Sequence, residues 1–281
     1  MTRMSFSPAV VLVIGVVSLG GCNAANAPDP IDGPVSYTAI GASDAIGLGS
    51  SSPCFPFADC PNGTGYVQII TRRLRAEHAD VSLRNLGIPG AVLSRDIMTI
   101  GNNLGRGIPA NFIDGELPFV APDSTIVTVF GDANGVNTLA AAIGTVAPSD
   151  RAAYTLTQLQ NFARDFTTLI DGIAARADAA AIIVITLPNL ARLPYAAGYT
   201  AEEREWLRQL SVGFSGAMNA RRAARVRIVD LMCHAPAYQA SLYSADGFHP
   251  NDAGYAQVAD LVWAALDSPP PPPPVTCEQM S

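Results

Sequence analysis

Near its C-terminal end the chain carries Asp246-Gly247-Phe248-His249-Pro250, a carboxylate and an imidazole three residues apart around a glycine. Within one loop the two side chains can turn toward each other. The carboxylate then holds one ring nitrogen and leaves the other free to accept a proton. Far upstream, Gly41-Ala42-Ser43-Asp44 offers a hydroxyl that could give that proton up. A serine is a poor nucleophile until an imidazole takes its proton during attack. The oxyanion formed on an attacked carbonyl needs preorganised donors. The backbone N–H of Ser43, the backbone N–H of Gly90 and the side-chain amide of Asn134 are suited to this, and glycine at 90 lets the backbone approach closely. The chemistry expected is acyl transfer: Ser43 attacks, His249 acts as base and then acid, and Asp246 orients His249.

These residues need a frame that presents loops side by side. Short Val/Ile-rich runs at 35–40, 81–86, 125–130, 180–186 and 226–231 read as buried strands. Amphipathic patterns at 66–78, 151–177, 200–225 and 251–266 read as helices, and Thr200-Ala201-Glu202-Glu203 is a capping box that marks one start. Strand–helix alternation implies a parallel sheet covered on both faces, with ligands bound at the carboxyl ends of the strands. Each of the candidate segments follows a strand run.

The ordered set Ser43, Gly90, Asn134 and Asp246/His249 resembles the four blocks of the SGNH (GDSL-type) hydrolases, a family of esterases and lipases, from about residue 35 to 266. The ending Asp-Gly-Phe-His-Pro-Asn before a helix is the most specific piece. The resemblance implies a three-layer α/β/α sandwich with a flavodoxin-like, parallel five-stranded sheet. It also implies a Ser43–His249–Asp246 triad and an oxyanion hole made of Ser43, Gly90 and Asn134, with no cofactor and no metal. Two departures stand out. Ala42 occupies the place of the family name's aspartate, and the third block, usually G-x-N-D, has Asp132 and Gly135 in the places of its glycine and aspartate.

Composition excludes several alternatives. All 17 basic residues are arginine, so chemistry that requires a lysine amine, such as a Schiff base or a Walker-type phosphate loop, is ruled out. The net charge is −7 and no domain-sized stretch is basic, which argues against nucleic acid as a partner. Three histidines leave little room for a histidine-rich metal centre. A metal-dependent phosphodiesterase built on Asp44, Asp246 and His249 is disfavoured because carboxylates are few. An α/β-hydrolase is disfavoured because no G-x-S-x-G elbow occurs.

The N-terminus reads as a targeting segment. Arg3 precedes an apolar run at 9–19, and Leu19-Gly20-Gly21-Cys22 resembles the lipobox of bacterial lipoproteins. Residues 1–21 would be a signal peptide, Cys22 the lipidated mature N-terminus and 22–34 a tether. The hydrolase domain would span 35–267, followed by a Pro-rich tail at 268–281. The protein is expected to be exported and membrane-anchored through Cys22, facing the periplasm or the exterior; secretion after ordinary signal cleavage is the alternative. Four cysteines remain, and an exported compartment permits disulfides. Of three possible pairings, Cys54–Cys60 and Cys233–Cys277 are favoured, the first closing a short Pro-rich loop and the second fastening the tail.

The expected function is hydrolysis of carboxylic esters (lipid, small acyl ester or acetylated glycan) through an acyl-enzyme, with no obligate protein partner. Acyl transfer to a polysaccharide hydroxyl, or an inactive surface glycan-binding module on the same scaffold, are alternatives. Phe55 and Phe57, in the 49–65 insertion after the nucleophile, either line an acyl-chain groove or pack their own loop. Asp44 is expected to cap the segment that follows it. The arginines from Arg221 to Arg227 are expected to close the 200–225 helix.

Overall fold

The computed structural model describes residues 33–281. The signal segment, Cys22 and residues 23–32 of the tether lie outside the described residues. Five strands form one parallel sheet: β1 Val35–Ile40, β2 Val81–Asn85, β3 Ile126–Phe130, β4 Ala181–Ile185 and β5 Val226–Val229, in the order β2-β1-β3-β4-β5. Strands β1, β3 and β5 are buried at every residue, which their β-branched content suits. Edge strand β2 alternates instead, with Ser82 and Arg84 exposed. Because all pairs are parallel, the five carboxyl ends lie along one edge of the sheet. The winding direction reverses between β1 and β3, the kind of switch point beside which such sheets bind ligands.

Among the described residues seven α-helices complete the fold: α1 Ser43–Ile46, α2 Tyr66–Glu77, α3 Arg95–Asn103, α4 Ala133–Thr145, α5 Arg151–Arg176, α6 Ala201–Asn219 and α7 Asp252–Asp267. On one face of the sheet, Tyr66, Val67, Ile70 and Leu74 of α2 pack with Tyr255, Val258 and Val262 of α7 against Tyr37, Ile126 and Ile183. On the other, helices α3 to α6 cover Val127, Val129, Ile182 and Val184. Alternate residues of each strand thus feed alternate cores, giving three layers.

Several boundaries differ from the sequence reading. Helix α6 stops at Asn219 rather than 225, and the arginines beyond it do other work. Arg221 pairs with Asp171, and Arg222 donates to the carbonyls of Pro270 and Pro271. Arg227, on β5, donates to the carbonyls of Ala265 (2.5 Å) and Leu266 (2.7 Å) and so satisfies the end of α7. Helices α3 and α4 are not expected from the sequence: Gly101, Asn102, Asn134 and Gly135 are poor helix formers, although α3 is amphipathic. The capping box of α6 is present, Thr200 and Glu203 each taking the other's backbone N–H.

Two disulfides join Cys54 to Cys60 and Cys233 to Cys277. The second fastens the proline-rich tail as a strap. Further along it, the carbonyls of Glu278, Gln279 and Met280 accept from Arg192, Asn189 and Arg208. Among the described residues, no helix is long and apolar enough to cross a membrane.

Candidate active site

Strand β1 ends at Ile40, and the chain turns through Gly41 and Ala42 into the single turn α1, whose first residue is Ser43. Ser43 is 3% exposed and spends its hydroxyl on no cap. Its Oγ lies 2.8 Å from His249 Nε2, across 206 residues of sequence. His249 Nδ1 is in turn 2.6 Å from Asp246 Oδ2. An ionised carboxylate can only accept, so Nδ1 carries the proton and Nε2 is the acceptor for the serine hydroxyl.

The Asp246 loop is built for this. Oδ1 accepts from the Ser244 hydroxyl (2.8 Å) and from the N–H groups of Phe248 (2.8 Å) and His249 (2.9 Å), leaving Oδ2 to the imidazole. Partial burial pushes the carboxyl upward. The hydrogen bonds from His249, Phe248 and Ser244 outweigh that and hold it well below the usual carboxylate range. Just beyond, Asn251 caps α7 by accepting from Gly254 N–H, which fixes the root of the loop.

The three expected oxyanion donors occupy adjoining loops. Gly90 has φ +82°, a left-handed conformation that glycine alone adopts readily, and an added Cβ would meet only Pro109. Backbone conformation, rather than crowding, therefore demands glycine there. Among the described residues the Gly90 N–H has no acceptor. Asn134 donates one amide hydrogen to the Ala91 carbonyl at 3.0 Å, and its second hydrogen remains available.

Two buried carboxyl groups tie these loops together. Asp132 Oδ1 accepts from Gly135 N–H (2.7 Å), capping α4, while Oδ2 accepts from Leu93 N–H (2.9 Å) in the Gly90 loop. A Cβ on residue 135 would collide with this carboxyl, so the exchange of glycine and aspartate in the third block is a matched pair. Burial pushes Asp132 up to about 7, against the pull of the two N–H donors. Glu116, from a π-helical turn at Phe112–Glu116, is fully buried, and its Oε2 accepts from Gly41 N–H at 2.9 Å. Burial raises it well above its ordinary value, and the N–H groups of Gly41 and Ile88 offset that only in part. Sequence reasoning missed Glu116, since no local pattern marks it.

Two hollows meet at Phe248. One, of about 50 Å³ and mostly apolar, lies beneath it and is bordered by Asp44, Tyr243 and Pro250. The other is a groove of about 550 Å³ lined by Asn134, Asn137, Tyr195, Tyr199 and Trp206. Phe55 and Phe57 border neither. They are 79% and 64% exposed on their disulfide loop, and Phe57 meets Phe119 edge-on at 6.1 Å between ring centres. Contrary to expectation, Asp44 makes no side-chain cap on α1, and the backbone donor to its carboxyl is its own N–H. Among the described residues no group of three or more His, Cys, Asp or Glu could hold a metal, Asp44, Asp246 and His249 included.

A model of the GDSL-like Lipase/Acylhydrolase family matches residues 36–257. Among curated proteins, no sequence matches the chain significantly. Among solved structures, the chain resembles a lipase from a goat rumen metagenome, with 16% identity and a TM-score of 0.56 over 82% of this chain and 97% of that one. It also resembles an extracellular lipase from Streptomyces rimosus (16% identity, TM-score 0.54, 82% and 99% covered). A phospholipase A1 from Streptomyces albidoflavus is similar to the same degree (15%, 0.54, 83% and 99%). At such identities the likeness speaks to the fold.

Proposed function

Since this chain belongs to the GDSL-like lipase/acylhydrolase family and is an ester-hydrolysing enzyme, we propose that it cleaves carboxylic esters through an acyl-enzyme on Ser43. The observation that carries this reading is the unbroken chain from Ser43 Oγ to His249 (2.8 Å) to Asp246 (2.6 Å). As Oγ attacks the ester carbonyl, its proton passes to His249 Nε2, and Asp246 stabilises the imidazolium. The N–H groups of Ser43 and Gly90 and the free amide hydrogen of Asn134 receive the oxyanion. Collapse of this intermediate breaks the bond to the alcohol, which leaves with the proton from His249. Water then repeats the sequence on the acyl-serine and regenerates the hydroxyl. The chain's own groups suffice for every proton transfer.

The substrates are lipid, small acyl or acetylated glycan esters, and the groove beside Asn134 gives them room. Residues 35–267 form the hydrolase domain, followed by the tail at 268–281. Export, with Cys22 carrying lipid, accords with two disulfides; loss of membrane association in Cys22→Ser tests the anchor, and unchanged fractionation rejects it. For the chemistry, Ser43→Ala is expected to abolish turnover of p-nitrophenyl acetate and labelling by a fluorophosphonate while the circular dichroism spectrum is kept. Turnover retained by folded Ser43→Ala rejects the assignment.

A further inference from the structure

The residue after the proposed nucleophile is Asp44, where the family's four-letter name has leucine. It is 7% exposed, and among the described residues its carboxyl group accepts from its own backbone N–H and from no other residue. Burial raises it above the usual carboxylate range, and the His249 ring and its own N–H offset this only in part. A carboxyl desolvated with no donor beyond its own N–H is costly, and the cost is met either by taking up a proton or by a ligand.

Asp44 borders the hollow of about 50 Å³ beneath Phe248. The remaining walls are aliphatic or aromatic, with Phe130, Tyr243 and Phe248 among them; Gln257 is the other polar side chain, and no arginine or histidine borders the space. The Tyr243 hydroxyl is already spent on the Ala237 carbonyl. One acidic group, aromatic faces and no internal counter-ion make a space that favours a small, weakly hydrated cation. A divalent metal does not fit, because it would require several oxygen ligands. A guanidinium does not fit either, since one carboxyl leaves most of its five donors unpaired. Ser43 and His249 do not themselves line the hollow, but their chain neighbours Asp44, Phe248 and Pro250 do.

We propose that this hollow is a subsite for a substituted-ammonium group carried by the ester substrate, with Asp44 as its counter-charge and Tyr243 and Phe248 as its aromatic walls. The favoured substrates are esters of short amino-alcohols, choline esters among them, whose cation sits a few bonds from the scissile carbonyl. The proposal rests on Ser43 being the nucleophile.

The test compares acetylcholine with 3,3-dimethylbutyl acetate, a neutral ester of nearly the same shape, in wild type and in Asp44→Asn. Asparagine keeps the size and a hydrogen-bonding group but loses the charge. The wild-type kcat/KM ratio is expected to favour the cationic ester by about tenfold or more, and the ratio in Asp44→Asn to fall to about one. A ratio near one in wild type overturns the proposal, as does an unaltered preference in Asp44→Asn. Tetramethylammonium chloride gives a second reading that needs no turnover and no variant: it is expected to raise the wild-type Tm above that in sodium chloride at equal ionic strength. No rise means that water alone fills the hollow, and the proposal falls. If neither ester nor p-nitrophenyl acetate is cleaved and a fluorophosphonate leaves Ser43 unlabelled, the serine mechanism fails instead. The tetramethylammonium measurement alone then decides whether the hollow binds a cation.

Discussion

Replacing Asp132 by alanine separates bracing of the site from the chemistry itself. The side chain accepts from Gly135 N–H at 2.7 Å and from Leu93 N–H at 2.9 Å. Loss of the first removes the cap of α4, worth about 1 kcal/mol. Loss of the second strands an N–H of Leu93, a residue 1% exposed, at a cost of about 1–3 kcal/mol. Removing a carboxyl that burial pushes up to about 7 returns part of this, so the net destabilisation is about 2 kcal/mol. Kinetics should respond too. Asn134 is the second residue of α4, and Gly90 lies in the loop that ends at Leu93, so both proposed oxyanion donors lose a shared fixing point. A donor removed outright costs roughly 3 kcal/mol; one merely loosened is expected to lower kcat about tenfold with KM little changed. Urea unfolding and p-nitrophenyl acetate kinetics on the folded variant measure the two effects, with Asn134→Ala setting the limit for complete loss. A variant that is less stable yet fully active would refute the coupling of this carboxyl to the oxyanion donors.

Asp132 also predicts a pH trend. Its folded value of about 7 lies above the unfolded carboxylate range of about 4, so the folded protein retains a proton that the unfolded chain has lost. Its contribution to stability is therefore present below about pH 4 and is lost as pH rises to about 7, and the wild-type advantage in urea midpoint over Asp132→Asn should shrink between pH 5 and 8. An advantage that grows over this range contradicts the sign. Replacing both Cys233 and Cys277 by serine opens a loop of sequence separation 44 and should cost about 4 kcal/mol in denaturant unfolding; a loss under about 1 kcal/mol means the strap's hydrogen bonds suffice without it. Phe55→Ala and Phe57→Ala should leave the acyl-length profile on soluble p-nitrophenyl esters unchanged, because neither ring borders a hollow at the site. A shifted profile would place them at the substrate.

The inner strands were legible because they are short, rich in β-branched residues and buried, which leaves a mostly apolar run in each, whereas edge strand β2 alternates with exposed Ser82 and Arg84. The His249 loop was legible because both partners and the glycine between them fall within four consecutive residues. What stayed hidden depends on contacts distant in sequence. Glu116 reaches Gly41 across 75 residues from a π-helical turn, and nothing around it distinguishes a bracing acid from a solvated one. Helix α4 is obscured by Asn134 and Gly135, residues kept for the site and the Asp132 contact rather than for helix propensity. Arg227 resembles the end of α6 because neighbouring arginines suit a helix terminus, yet it lies on β5 and serves α7. Asp44 resembles a cap by its place in a first helical turn, yet the N–H that reaches its buried carboxyl is its own.

The uniform direction of the strands gives the molecule two unlike poles. Chain entry at Val35 is at one pole, while Ser43, Gly90, Asn134 and His249 gather at the other. The chain therefore enters the domain at the pole away from the site. Esters dissolved in the surrounding fluid meet an open mouth, whereas esters embedded in a surface at the entry pole would have to leave it before they could react.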